Sequence, residues 1–119
     1  MTVTNSIVSD NRGLNVILNG GTMTILNSTV GNPASLGISN DGKLNVTGSN
    51  VSNNSGAGIA NSLSGKIVLT SSTVSGNSVA SRDGGGVFNS NPDASTFQLR
   101  SSIVAGNGAS SARVLVKPH

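Results

Sequence analysis

The sequence predicts an all-β solenoid of about five coils with a period of about 22 residues. Three observations predict it: apolar residues recur in fixed columns, strand-like alternation fills each unit, and Asn, Gly and Ser gather where the chain must turn. Val8, Val30, Val51, Val74 and Val104 serve as anchors, spaced by 22, 21, 23 and 30 residues. Five residues before each anchor stands Val3, Ile25, Val46, Leu69 or Leu99, and seven before stands Met1, Met23, Leu44, Ile67 or Phe97. Two before stands a serine every time: Ser6, Ser28, Ser49, Ser72 and Ser102. A fixed period of about 20–50 residues marks a repeat architecture. Disordered chains are also rich in Gly and Ser, but they keep no such phase.

Within a unit, the apolar positions seven and five before the anchor alternate with the positions six and four before it. A period of two puts one set of side chains on one face of a strand. Val, Ile and Thr dominate these runs, as β-structure favours. After each anchor a short strand is expected around Ile17, Ile38, Ile59 or Val87, followed two residues later by Asn19, Asn40, Asn61 or Asn89. A further Asn lies just after each anchor, at Asn11, Asn32, Asn54, Asn77 and Asn107. At about 3.3 Å per strand residue, such a unit closes on itself with three short sides, and stacked coils rise about 4.8 Å each. Equivalent Asn side chains then lie one above another and can bond amide to amide, as in stacked sheets.

The coils are expected at about 1–21, 22–42, 43–65, 66–94 and 95–119, in a single domain. Pro33 belongs at a corner, since proline cannot donate to a ladder. Coil four is longer than the rest, with its excess at 79–85 and 90–94 on either side of Val87. This insertion holds Arg82, Asp83 and Asp93, with Arg100 close by in the next coil. Loops on a rigid scaffold commonly carry function, so these four are the candidate binding residues. The segment 112–119 fits no coil well and is expected to finish or cover coil five. Met1 already occupies a strand position, so the chain reads as a piece of a longer solenoid without a leader peptide. Its open first coil is expected to self-associate through unpaired edges.

Gly85-Gly86-Val87 with Phe88-Asn89, and Ser101-Ser102-Ile103-Val104-Ala105-Gly106-Asn107, resemble known repeat motifs. The motifs are G-G-x-[ILV], F-x-x-N and apolar-x-apolar-x-x-S-x-[IV]-x-x-N. They belong to the repeat family of bacterial surface and secreted proteins that includes the polymorphic outer-membrane proteins. The resemblance covers nearly the whole chain up to Asn107. It implies a right-handed parallel β-helix, an extracellular or cell-surface (outer-membrane) location, and an adhesin-like, non-catalytic structural or binding role. The partners implied are glycans or other cell-surface ligands. The alternative is a fragment of a carbohydrate-active enzyme of the pectate-lyase-like fold, a lyase or hydrolase whose catalytic coils lie elsewhere. Repeats of this kind serve many functions, so the fold alone does not choose.

Composition narrows the field. Charged residues are 9% of the chain, against about 25% in ordinary domains, and Asn, Ser and Thr take their place. Seven Lys and Arg against four acidic residues give a net charge of +3. Trp and Tyr are absent, so bases have little aromatic platform to stack on and nucleic acid is not an expected partner. No apolar run is long enough to span a membrane. There is no Cys, and the sole His is His119, so neither a metal nor another cofactor is expected.

Carbohydrate catalysis in this fold needs acids grouped for Ca²⁺ or paired for acid–base work. The four acids are Asp10, Asp41, Asp83 and Asp93, of which only Asp83 and Asp93 are placed to meet. Asn27, Asn45, Asn50 and Asn53 begin N-x-[ST] sequons, read here as by-products of an Asn- and Ser-rich repeat. The outward pairs six and four before the anchors are Thr2/Thr4, Thr24/Leu26, Asn45/Thr47, Val68/Thr70 and Gln98/Arg100. Only the first has the double Thr of an ice-binding array, and β-propensity explains Thr on a strand.

Overall fold

The computed structural model of the protein describes residues 1–9, 15–31, 36–62, 64–77, 86–91, 93, 96–107 and 115–116. Strands follow one another in threes. Coil one holds β1 (Thr2–Thr4), β2 (Ile7–Val8) and β3 (Asn15–Asn19); coil two holds β4 (Thr22–Leu26), β5 (Thr29–Val30) and β6 (Leu36–Asn40). Coil three holds β7 (Lys43–Thr47), β8 (Asn50–Ser52) and β9 (Ile59–Asn61); coil four holds β10 (Lys66–Thr70), β11 (Thr73–Ser75) and β12 (Val87–Asn89). Coil five holds β13 (Phe97–Arg100), β14 (Ile103–Ala105) and β15 (Leu115–Val116). Each strand pairs in parallel with the strand three places along. The result is three five-stranded sheets: β1-β4-β7-β10-β13, β2-β5-β8-β11-β14 and β3-β6-β9-β12-β15. This is a parallel β-helix with three faces, and right-handed winding is the rule for parallel crossovers.

The register follows the repeat columns. Val8, Val30, Val51, Val74 and Val104 stand opposite one another in the second sheet. Val3, Ile25, Val46, Leu69 and Leu99 do so in the first. A one-residue slip would turn every inward side chain outward, so these columns fix the pairing. In coils two to four they form the core: Ile25, Val30, Ile38, Val46, Val51, Ile59, Ile67, Leu69, Val74 and Val87 are all completely buried. At the two ends the same columns are open. Met1 is 80% exposed and Leu99 44%, because their coils have a neighbour on one side only.

Three polar ladders accompany the core. In the third sheet, Asn19 Nδ2 donates to Asn40 Oδ1 at 2.8 Å, Asn40 to Asn61 at 2.9 Å and Asn61 to Asn89 at 2.8 Å. At the corner after the second sheet, Asn54 Nδ2 donates to Asn77 Oδ1 at 2.7 Å and Asn77 to Asn107 at 2.9 Å. The serine column makes the third. The backbone N–H of Ser6, Ser28, Ser49 and Ser72 each donates to the Oγ of the serine one coil on, at 3.0–3.2 Å. Each hydroxyl in turn donates to the carbonyl two residues before it, as Ser28 does to Leu26 at 2.7 Å. Buried backbone and amide groups must find partners, and these ladders supply them where no strand ladder reaches. The expected Asn11 and Asn32 rungs lie outside the described residues.

The corner between the first and second sheets takes a left-handed backbone in every coil: Asn5, Asn27, Gly48, Ser71 and Ser101 have φ of 50°, 49°, 58°, 48° and 48°. Asn and Gly tolerate that region best. The tail finishes coil five, one of the two outcomes expected of it. Leu115–Val116 pairs in register with Phe88–Asn89, so it supplies the third side of coil five. The sequence hid this because Val116 stands where the ladder calls for Asn. Asn89 Nδ2, in its register partner, is buried without a hydrogen bond among the described residues. Val116→Asn places an amide opposite that donor and is expected to raise stability by about 1 kcal/mol. A urea midpoint that stays put or falls would show that the ladder does not extend into coil five.

Candidate binding face

Alternation in the first sheet aims one set of side chains outward. Lys43 and Asn45 are exposed and Thr47 half-buried on β7, while Leu44 and Val46 are buried between them. On β10, Lys66, Val68 and Thr70 alternate in the same way with buried Ile67 and Leu69. Lys43 is the register partner of Lys66, and Asn45 of Val68. Val68 pairs in turn with Gln98, and Thr70 with Arg100. All three described lysines and arginines therefore stand on this one face.

At its coil-four edge the face carries a groove of about 210 Å³, lined by Lys66, Ile67, Val68, Asp93, Thr96 and Gln98. The wall comes from the excess residues between β12 and β13, and a chain of side-chain bonds holds it. Asn91 N–H donates to Asn89 Oδ1 at 3.2 Å, and Asn91 Nδ2 reaches back to the Gly65 carbonyl at 2.8 Å. Asp93 N–H donates to Asn91 Oδ1 at 3.0 Å, and Thr96 Oγ1 donates to the Asp93 carbonyl at 2.6 Å. Asx side chains that bond the backbone two residues on are turn formers. Here they stack in series on the end of the asparagine ladder, so the groove wall is anchored in the solenoid itself. Along β13, Arg100 Nη2 donates to Gln98 Oε1 at 2.8 Å.

Of the candidate residues, Asp93 lines the groove and Arg100 meets it through Gln98. Arg82 and Asp83 lie outside the described residues, and so does any meeting of Asp83 with Asp93. Sequence reasoning missed Lys66, Thr96, Gln98 and Asn91 as site residues. A signal existed for the first two: eight residues before the anchors stand Thr22, Lys43, Lys66 and Thr96, a further outward column. Asn91 was legible in the Asn89-Ser90-Asn91-Pro92-Asp93 alternation, which puts an Asx side chain at every second residue.

Chemically the groove offers an ammonium, a carboxylate, a hydroxyl and a primary amide around an apolar Val68. That mixture suits a hydroxylated ligand with one apolar flank. Among the described residues no three His, Cys, Asp or Glu side chains come together as metal ligands, and no helix is long and apolar enough to cross a membrane. Comparison with protein-family models, with curated proteins and with solved structures finds no match to the chain.

Proposed function

We propose that the chain is a non-catalytic structural and binding segment of a bacterial secreted or cell-surface protein, adhesin-like, and that it takes glycans on the outer face of its first sheet. The observation that supports this is the groove beside β10 and β13, where donors and acceptors of four kinds surround Val68 on an otherwise flat polar face. Its volume is below the roughly 300–1,000 Å³ of pockets that enclose drug-sized ligands. It therefore fits one ring or substituent of a longer ligand that continues across the sheet. Glycosidic acid–base chemistry uses two carboxylates, whereas Asp93 is the one acid among the described lining residues, which favours binding over the carbohydrate-active alternative. The bacterial, surface-located setting rests on the resemblance of the repeat motifs.

A glycan array probed with the labelled protein tests this. Binding to at least one glycan class is expected, reduced about tenfold or more by Gln98→Ala with Asp93→Ala. Thr29→Ala, on the second sheet, is expected to leave it unchanged. An array without bound glycan, or binding indifferent to the groove variant, would overturn the reading.

A further inference from the structure

Lys43 and Lys66 are both exposed and stand directly opposite each other on neighbouring strands, which places their backbones about 4.8 Å apart. Like charges directly opposite on a sheet destabilise it. Among the described residues neither ammonium is taken up by a hydrogen bond or an ion pair. The column continues with Thr22 opposite Lys43 and with Thr96, one position before the Ile67–Phe97 pair, beside Lys66. Hydroxyls thus flank the two cations on both sides. The five strands of this sheet contain no Asp or Glu, and Arg100 adds a third positive charge to the same face. Of the two described acids, Asp41 accepts a hydrogen bond from Ser62 Oγ, and Asp93 lines the groove with Lys66.

Two lysines opposite each other on neighbouring strands, one of them lining a polar groove, make a site for a negative charge. We propose that Lys43 and Lys66, with Thr96 and Gln98 at the groove's edge, hold an anionic substituent, a carboxylate or a sulfate ester, of the glycan bound there. The inference rests on the glycan reading and adds its ligand class. The anion relieves the lysine–lysine repulsion on binding, so the same contact lowers the energy of the protein face as well as pairing the ligand. Lysine serves here as a compact point charge on a flexible stem, which suits an anion presented at varied angles along a polymer. The pairing is solvent-exposed and weakens as salt shortens the screening length.

The test uses one oligosaccharide backbone immobilised in three forms: neutral, carboxylated and sulfated. Retention of the protein is expected to be at least tenfold stronger on one or both anionic forms than on the neutral one. Lys43→Gln with Lys66→Gln should bring it down to the neutral level, and should leave the urea midpoint unchanged or slightly improved. Lys43→Arg with Lys66→Arg should keep the preference. Lowering the net charge by two on the second sheet, with Asn50→Asp and Ala105→Glu, both at exposed positions, should also keep it. The relative strength of the two anionic arms identifies the substituent.

Equal retention on all three forms overturns the inference. So does a Lys→Gln variant that still prefers anions, or an equal loss in the Asn50/Ala105 variant, which would make the effect one of bulk charge. In those cases neutral retention that still depends on Gln98 leaves the glycan reading standing. Absence of retention on every form removes both.

Discussion

Gly58→Ala is expected to destabilise the protein by about 4 kcal/mol, through overpacking together with the loss of buried hydrogen bonds. A Cβ at this position would lie 2.6 Å from Asn77 Nδ2, 2.7 Å from Val74 Cγ1 and 2.9 Å from the Gly86 carbonyl. None of the three can retreat cheaply. Asn77 is bonded to the coils on either side, Val74 is fully buried in the core, and Gly86 carries the carbonyl that receives Ile59 N–H at 3.0 Å. The methyl must push the ladder amide away or part the third sheet from its neighbour. Against a total stability of about 5–15 kcal/mol for a domain, that is a large share. Gly20→Ala is the control, because a Cβ there meets nothing within 4 Å, and its effect should stay within about 0.5 kcal/mol. Urea melts of the two variants decide the matter. Similar midpoints would mean that the third sheet and the ladder are not in close contact at Gly58.

This glycine is one of a column that the sequence conceals. Gly37, Gly58 and Gly86 each precede the buried apolar residue of the third sheet, and an added Cβ at each would strike the Asn54, Asn77 or Asn107 amide. The column breaks in coil one, where Val16 stands in its place. In a chain with 16 glycines, position alone does not separate those forced by close approach from those in open turns such as Gly20. The apolar columns were legible for the opposite reason. Every position in them is apolar, and burial on one face imposes a period that survives insertions, even the 30-residue step across coil four. The two asparagine ladders were legible because stacking puts identical amides one coil apart, and a side chain that bonds its own copy must recur at the same phase. The serine column was visible as a pattern, but its role as acceptor for the preceding coil's N–H depends on the corner geometry.

The groove was only half legible. Asp93 and Arg100 stand out in a chain so poor in charge, and the excess length of coil four marks their neighbourhood. Lys66 and Gln98 lie 32 residues apart and become neighbours only through the β10–β13 pairing, and Asn91 decides where the wall sits by reaching back to Gly65. The pairing that brings Lys66 and Gln98 together leaves no local mark. The tail was hidden because Val116 breaks the ladder, although its backbone still pairs as the third side of a coil.

Asn77→Ala is the second large effect, expected at about 3 kcal/mol from buried groups left without partners. Asn77 is completely buried. Its Oδ1 accepts from Asn54 N–H at 3.1 Å and from Asn54 Nδ2 at 2.7 Å, and its Nδ2 donates to the Val51 carbonyl at 3.1 Å and to Asn107 Oδ1 at 2.9 Å. Alanine removes all four bonds at once, in the middle of the ladder, where water cannot replace them. Thr47→Ala, on the outward face of the first sheet, should cost under about 0.5 kcal/mol, so the contrast between the two sites measures the ladder rather than β-propensity. Asn77→Asp sharpens it. The aspartate keeps the acceptor but faces the Val51 carbonyl and Asn107 Oδ1 with a second oxygen, so burial and repulsion raise its folded-state pKa above the unfolded value of about 3.9. The folded variant then holds a proton that the unfolded chain gives up. Its deficit relative to wild type should be smallest below about pH 4 and should widen as pH rises from there towards the elevated folded-state value. A melt series from about pH 3 to about pH 8, which brackets that rise, reads this directly. A deficit that stays constant with pH, or an Asn77→Ala midpoint no lower than that of Thr47→Ala, would mean that the amide column does not hold the coils together.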